Sequence, residues 1–147
     1  MSELDAALRR RIYDTVATRG YPPAIADLAE RTGASGAAVR AALERLAAGR
    51  ILVLQPGSGE ILMAPPFSAV PTPFLVESAR HACYANCAWD ALGVPVMLAT
   101  PARVVTACGC CGDAIVLDVE PDRPLPESAV IHFAVPAARW WDDLVFT

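Results

Sequence analysis

The chain has 147 residues, 54% of them hydrophobic, which suits one ordinary domain or two small ones and excludes long disorder. Its formal net charge of −4 is uneven: residues 1–66 carry eight arginines against seven acids, residues 67–147 four against nine, and neither half has the basic stripe of a nucleic-acid binder. No apolar run approaches the ~20 residues of a membrane helix, and the opening MSELDAALRRRIYD lacks the apolar core of an export signal, so the cytoplasm is the expected location.

In chain order, Leu4, Leu8, Ile12 and Val16 recur every four residues and predict a helix that Gly20 and Pro22-Pro23 stop. AIADLAERTG predicts a short second helix ended by Gly33. Ser35 offers an N-cap for a third, with Val39, Leu43 and Leu46 as its buried face. ILVLQ, the turn PGSG and EILMA then predict a hairpin. Three helices and a hairpin make a winged helix-turn-helix over residues 1–64. Its third helix offers Arg40, Arg45 and Arg50, but also Glu44, and no Asn, Gln or Lys to read bases, which favours a packing role over DNA binding.

Residues 65–74, with four prolines, read as an extended linker. Beyond it, VESARHACYANCAWDAL is expected to be a helix running to Gly93. MLATPARVVTACG, DAIVLDV and SAVIHFAV are expected strands, and PDRPLPE a turn. The second module, 75–147, is therefore an α+β arrangement with a mixed, mostly antiparallel sheet.

Five cysteines, Cys83, Cys87, Cys108, Cys110 and Cys111, form an odd, clustered set that argues for reduced thiols rather than a disulfide framework. In one helix Cys83, Cys87 and Asp90 fall at relative positions 0, 4 and 7, a single stripe that presents two thiols and a carboxylate to one site. The bland alternative for any one of these cysteines is a small buried hydrophobe. An unpaired acid on the same stripe is harder to explain that way, because burying it is costly. Cys108 and Cys111 form a C-x-x-C-G knuckle around Cys110, resembling half of a zinc ribbon; the other reading is small residues at a tight glycine turn. All five thiols are candidate metal ligands, and His81 and His132 are additional ones.

The segment YANCAWDALGVPVML, the strand ARVVTACGCCGDAIVL and the later Trp140-Trp141 resemble the organomercurial (alkylmercury) lyases. The resemblance implies a winged-helix-like N-terminal part before a mixed sheet, with a catalytic C-x-x-D met here by Cys87 and Asp90. Cys108 matches a further family cysteine regarded as structural. The family also uses a second catalytic cysteine. WWDDLVFT ends close to where it is expected, which predicts a C-terminally truncated or divergent member, or a frame ended early at a UGA meant as selenocysteine.

The implied reaction is protonolysis of a carbon–mercury bond. Mercury is a soft cation that prefers thiolates; Cys87 is its primary ligand, Asp90 delivers the proton, and Cys83, Cys110 or Cys111 is left to supply a second thiol. The implied partners are organomercurials, Hg(II) and cellular thiols, with mercury as substrate and product and no cofactor. A non-catalytic thiol-based heavy-metal binder or sensor and a winged-helix DNA-binding regulator are the alternatives.

Overall fold

The computed structural model describes residues 2–124 and 130–142. Helix α1, Glu3–Arg19, starts in a capping box: Asp5 N–H donates to Ser2 Oγ at 3.2 Å, and Ser2 N–H donates to Asp5 Oδ2 at 2.8 Å. Helices α2, Ile25–Thr32, and α3, Gly36–Ala48, follow, and Val39, Leu43 and Leu46 are buried as their spacing predicts. Asp5 is 2% exposed and is met by the Arg45 guanidinium of α3, Nη2 to Oδ1 2.6 Å, which holds its carboxyl well below the usual range. That pair joins the first helix to the third.

Strands β1, Val53–Leu54, and β2, Ile61–Ala64, form the expected antiparallel pair after α3. The sheet does not stop there. β3, Phe67–Ser68, lies inside the proline-rich stretch read as a linker and pairs with both β2 and β5. Phe67 is 1% exposed, so burial of its ring gives this stretch a place in the sheet despite its prolines. The order β1-β2-β3-β5-β4-β6-β7 makes one seven-stranded sheet, antiparallel at every described pairing. One cluster of buried side chains runs from Leu8 in α1 to Val119 in β7.

The helix expected from Val76 to Leu92 is the largest correction. β4, Leu75–Ser78, and β5, Ala82–Ala85, form a hairpin there, and helix α4 begins only at Ala88 and runs to Leu98. Cross-strand partners overrule the helical spacing: Val76 stands opposite Cys83 and, on its other side, opposite Val104, which stands opposite Leu117. Ser78 closes the turn, its hydroxyl donating to His81 O at 2.9 Å. Cys83 is thus 4% exposed in a sheet row and not one helical turn from Cys87.

α4 also takes in the start of the stretch expected as a strand, because Leu92 and Val94 bury against the sheet; Pro95 sits in its final turns, and Ala99, at φ 48, caps it. Only β6, Ala102–Ala107, and β7, Ala114–Val119, remain of the two strands foreseen there. The strand foreseen at SAVIHFAV is not formed over residues 130–135. Instead Phe133 and Trp140 stack at 4.8 Å, and the Trp140 indole donates to Val135 O at 2.8 Å, folding this segment back on itself around a short 3-10 turn, Ala137–Arg139. Residues 128–129 of that expected strand lie outside the described residues.

Gly20 marks where α1 meets the β4–β5 hairpin. Its φ is 83, and a Cβ there would come within 2.5 Å of Ala82 O. His81 completes the junction, its Nε2 3.1 Å from Ala17 O at the end of α1.

Candidate functional site

β5 ends at Ala85, whose N–H donates to Phe74 O at 3.0 Å, and the chain then turns into α4 through Asn86 and Cys87. Cys87 is the N-cap of α4 and Asp90 its third helical residue. That geometry, a thiol at a helix start with a carboxylate one turn in, places both groups at the mouth of one pocket. The cavity has a volume of about 140 Å³, and Asn86, Cys87, Trp89 and Asp90 line it from the helix start. Met63 and Pro65 form the β2 side, and Phe133, Trp140 and Trp141 close it from the C-terminal segment.

The two reactive groups are tuned in different ways. Burial is the main influence on Asp90 and pushes its carboxyl above the usual carboxylate range; Asn86, whose Nδ2 donates to Asp90 Oδ2 at 2.9 Å, only partly offsets that. Burial likewise pushes the Cys87 thiol up, and the nearby Asp90 charge adds to it. The backbone N–H groups of Asp90 and Trp89 pull the other way, toward thiolate, although neither makes a fully aligned cap hydrogen bond to the sulfur. A carboxyl that holds its proton to higher pH than usual thus stands beside a half-buried sulfur.

The first helix takes part from behind. Tyr13 donates to Pro65 O at 3.1 Å and reaches Ile51 O at 3.4 Å, fixing the backbone that forms one wall. Its hydroxyl is raised chiefly by burial, with Arg9 opposing and the Asp90 charge adding. The Arg50 guanidinium lies 5.5 Å from the Trp141 ring centre, so the turn that follows α3 steadies one of the tryptophans, and Arg50 lies beyond the helix expected to carry it.

Of the residues singled out from the sequence, Cys87 and Asp90 are brought together. Cys83 is not: it faces the core, and burial pushes its thiol up to about 11. Cys108, Cys110 and Cys111 lie together in the β6–β7 turn, outside the pocket lining. Among the described residues no three His, Cys, Asp or Glu side chains gather as a metal cluster. His81 is tied to α1, and His132 is exposed outside the lining. Asn86, Met63, Pro65 and Phe133 were not foreseen. Asn86 alone left a signal, an amide four residues before Asp90.

A helix-start thiol paired with a carboxyl of raised pKa, under an aromatic roof on an antiparallel sheet, defines a thiol–acid pocket suited to a soft electrophile. The family model MerB, alkylmercury lyase, matches residues 67–147, more than half of the chain, and the chain belongs to the alkylmercury lyase family. A curated alkylmercury lyase from Streptomyces lividans is 37% identical over 71 residues, 46% of this chain and 33% of that protein; the match thus spans about a third of the relative's length. The crystal structure of the mercury-bound form of MerB2 has the same fold, with a TM-score of 0.65 at 20% identity over 84% of this chain and 59% of that one. No helix among the described residues is long and apolar enough to cross a membrane.

Proposed function

We propose that the chain cleaves carbon–mercury bonds by protonolysis, with Cys87 as the mercury ligand and Asp90 as the proton donor. The observation that carries this reading is the shared pocket: a sulfur and a carboxyl that burial pushes above the usual carboxylate range, three residues apart on one helix start. A thiolate at Cys87 takes the soft metal of R–Hg⁺. A second thiolate, from a cellular thiol entering the open pocket, raises electron density on mercury and so on the carbon bound to it. The Asp90 O–H bond and the C–Hg bond break as the C–H bond forms. R–H leaves, and Hg(II) stays on the two sulfurs. No electron is gained or lost by any external group. The aromatic roof of Phe133, Trp140 and Trp141 suits the organic group and lowers the local dielectric in which the proton moves.

The test is release of hydrocarbon from phenyl- or methylmercury in excess monothiol, wild type against Asp90→Asn. The expected result is hydrocarbon from the wild type only, with Hg(II) binding kept by both. Equal release would assign the proton to another donor.

The heavy-metal binder without catalysis is the second reading. Its support is that no other cysteine lines the pocket among the described residues; it would show as retention of the organomercurial without hydrocarbon. For the N-terminal part, a winged-helix module with a packing role is the favoured reading. The arginines expected to face DNA are engaged within the chain: Arg40 donates to Ser58 O, Arg45 pairs with Asp5, and Arg50 covers Trp141.

A further inference from the structure

β5 and β6 both run antiparallel to β4, so they point the same way, two strand spacings or roughly 10 Å apart. Tyr84 in β5 and Val105 in β6 stand in one cross-sheet row on either side of Leu75. Cys87 follows Tyr84 by three residues, and Cys108 follows Val105 by three. The pocket sulfur and the cysteine turn therefore emerge at the same end of the sheet.

The turn itself is a tight loop. Cys108 N–H donates to Asp113 O at 2.8 Å, Gly112 N–H donates back to Cys108 O at 2.9 Å, and Gly112 takes φ 77 to close it. Cys110 and Cys111 are exposed and Cys108 is half-buried. Cys108 and Cys111 stand three residues apart within this one closed turn. Zinc in a structural site wants four ligands, and no such group is built among the described residues. Mercury(II) is satisfied by two thiolates, and the geometry offers two.

We propose that Cys108 and Cys111 form a second mercury site, a two-thiolate chelate that accepts Hg(II) released at Cys87. The transfer role rests on the lyase reading above; the binding site itself does not. In the exchange, Hg(II) held by Cys87 and a small thiolate passes to Cys108 and Cys111. Two Hg–S bonds break and two form, the Cys111 proton moves to the departing small thiolate, and no redox change occurs. Cys87 is left free, and a solvent-exposed dithiol holds the metal where further thiols can reach it.

The test loads Cys87→Ser protein with one equivalent of mercuric chloride, adds excess glutathione, and measures mercury that stays with the protein on gel filtration. One Hg(II) per chain should remain. Adding Cys108→Ser or Cys111→Ser should lower retention about 100-fold, the scale of losing one arm of a chelate, while Cys110→Ser should not. In the unmutated chain, the first equivalent of Hg(II) should already shield Cys108 and Cys111 from iodoacetamide. Loss of mercury from Cys87→Ser as readily as from a monothiol, or retention indifferent to Cys108 and Cys111, overturns the proposal. Hydrocarbon release by the wild type is read in parallel, so a failed lyase reading leaves no hydrocarbon while the chelate result stands.

Discussion

The pocket at Cys87 and the turn at Cys108–Cys111 contain the same functional group in opposite surroundings. Cys87 is half-buried under aromatic rings, beside one carboxyl that burial pushes above the usual carboxylate range. The turn is open to solvent, and its nearest carboxylate, Asp113, acts on a thiol and not on a cavity. Sulfur alone binds a soft metal in either place. Only the pocket sets a carboxyl beside the sulfur, and in the proposed function that neighbour is what separates cleaving from holding.

Cys87→Ser should break that comparison most severely. Hydrocarbon release from phenylmercury should fall by roughly 1,000-fold or more, the scale for loss of a reacting atom, while Cys108→Ser leaves the first turnover unchanged. Equal losses in the two variants would mean that the turn belongs to the same site.

Next is Asp90→Asn, with a loss of at least ~100-fold in release and Hg(II) binding unaffected. The pH profile supplies an independent readout. Because the native carboxyl titrates above its usual value, wild-type release should decline as pH rises through that raised pKa, and the variant should show no such limb. Stability follows the same sign. A raised native pKa contributes stability below the unfolded value that is lost as pH rises through the native one. Asp90→Asn should therefore raise Tm at neutral pH, by an amount that shrinks on acidification.

Alkylation sharpens the comparison among thiols. At pH 8 iodoacetamide should label the exposed turn first, Cys87 later and Cys83 last. With a thiol pushed up to about 11, Cys83 is only about one part in a thousand thiolate at that pH. Peptide mass mapping over time gives the order, and early labelling of Cys83 would contradict its place in the sheet row.

The smallest expected effect is at the roof. Arg50→Ala removes a cation–π contact of about 0.5–1 kcal/mol from Trp141. It should raise KM for phenylmercury by about two- to five-fold with kcat held, measured by initial rates of benzene release. A change confined to kcat would place Trp141 in the chemistry instead of in binding.

Cys87 and Asp90 were legible because their spacing of three survives as the first turn of a helix, and that spacing needs no tertiary information. The helix drawn through Val76 and Cys83 failed for the opposite reason. VESARHACYA has no glycine or proline to announce a break, and its strand character comes from Leu75, Val76 and Tyr84 finding partners on β5, β4 and β6, which a local pattern does not contain. Gly93 misled in the other direction, since burial of Leu92 and Val94 carries α4 through it and through Pro95. The three N-terminal helices, with regular stripes and capping residues, could be drawn closely from sequence. The pocket's far walls could not, because Met63 and Phe133 are brought to Cys87 by the sheet and by a segment that folds back on itself.

Cys87 occupies the N-cap position of α4, where a serine or aspartate ordinarily spends its lone pairs on the first turn's amides. Here a sulfur stands toward the N–H groups of Trp89 and Asp90, and a metal on that sulfur competes for the same electrons. On the proposed reading, a metal on that sulfur sits beside first-turn amides that no side-chain cap hydrogen bond holds. Hydrogen–deuterium exchange at those two amides should therefore change when mercury arrives and revert when it leaves, giving a backbone signal of the metal's comings and goings that needs no label.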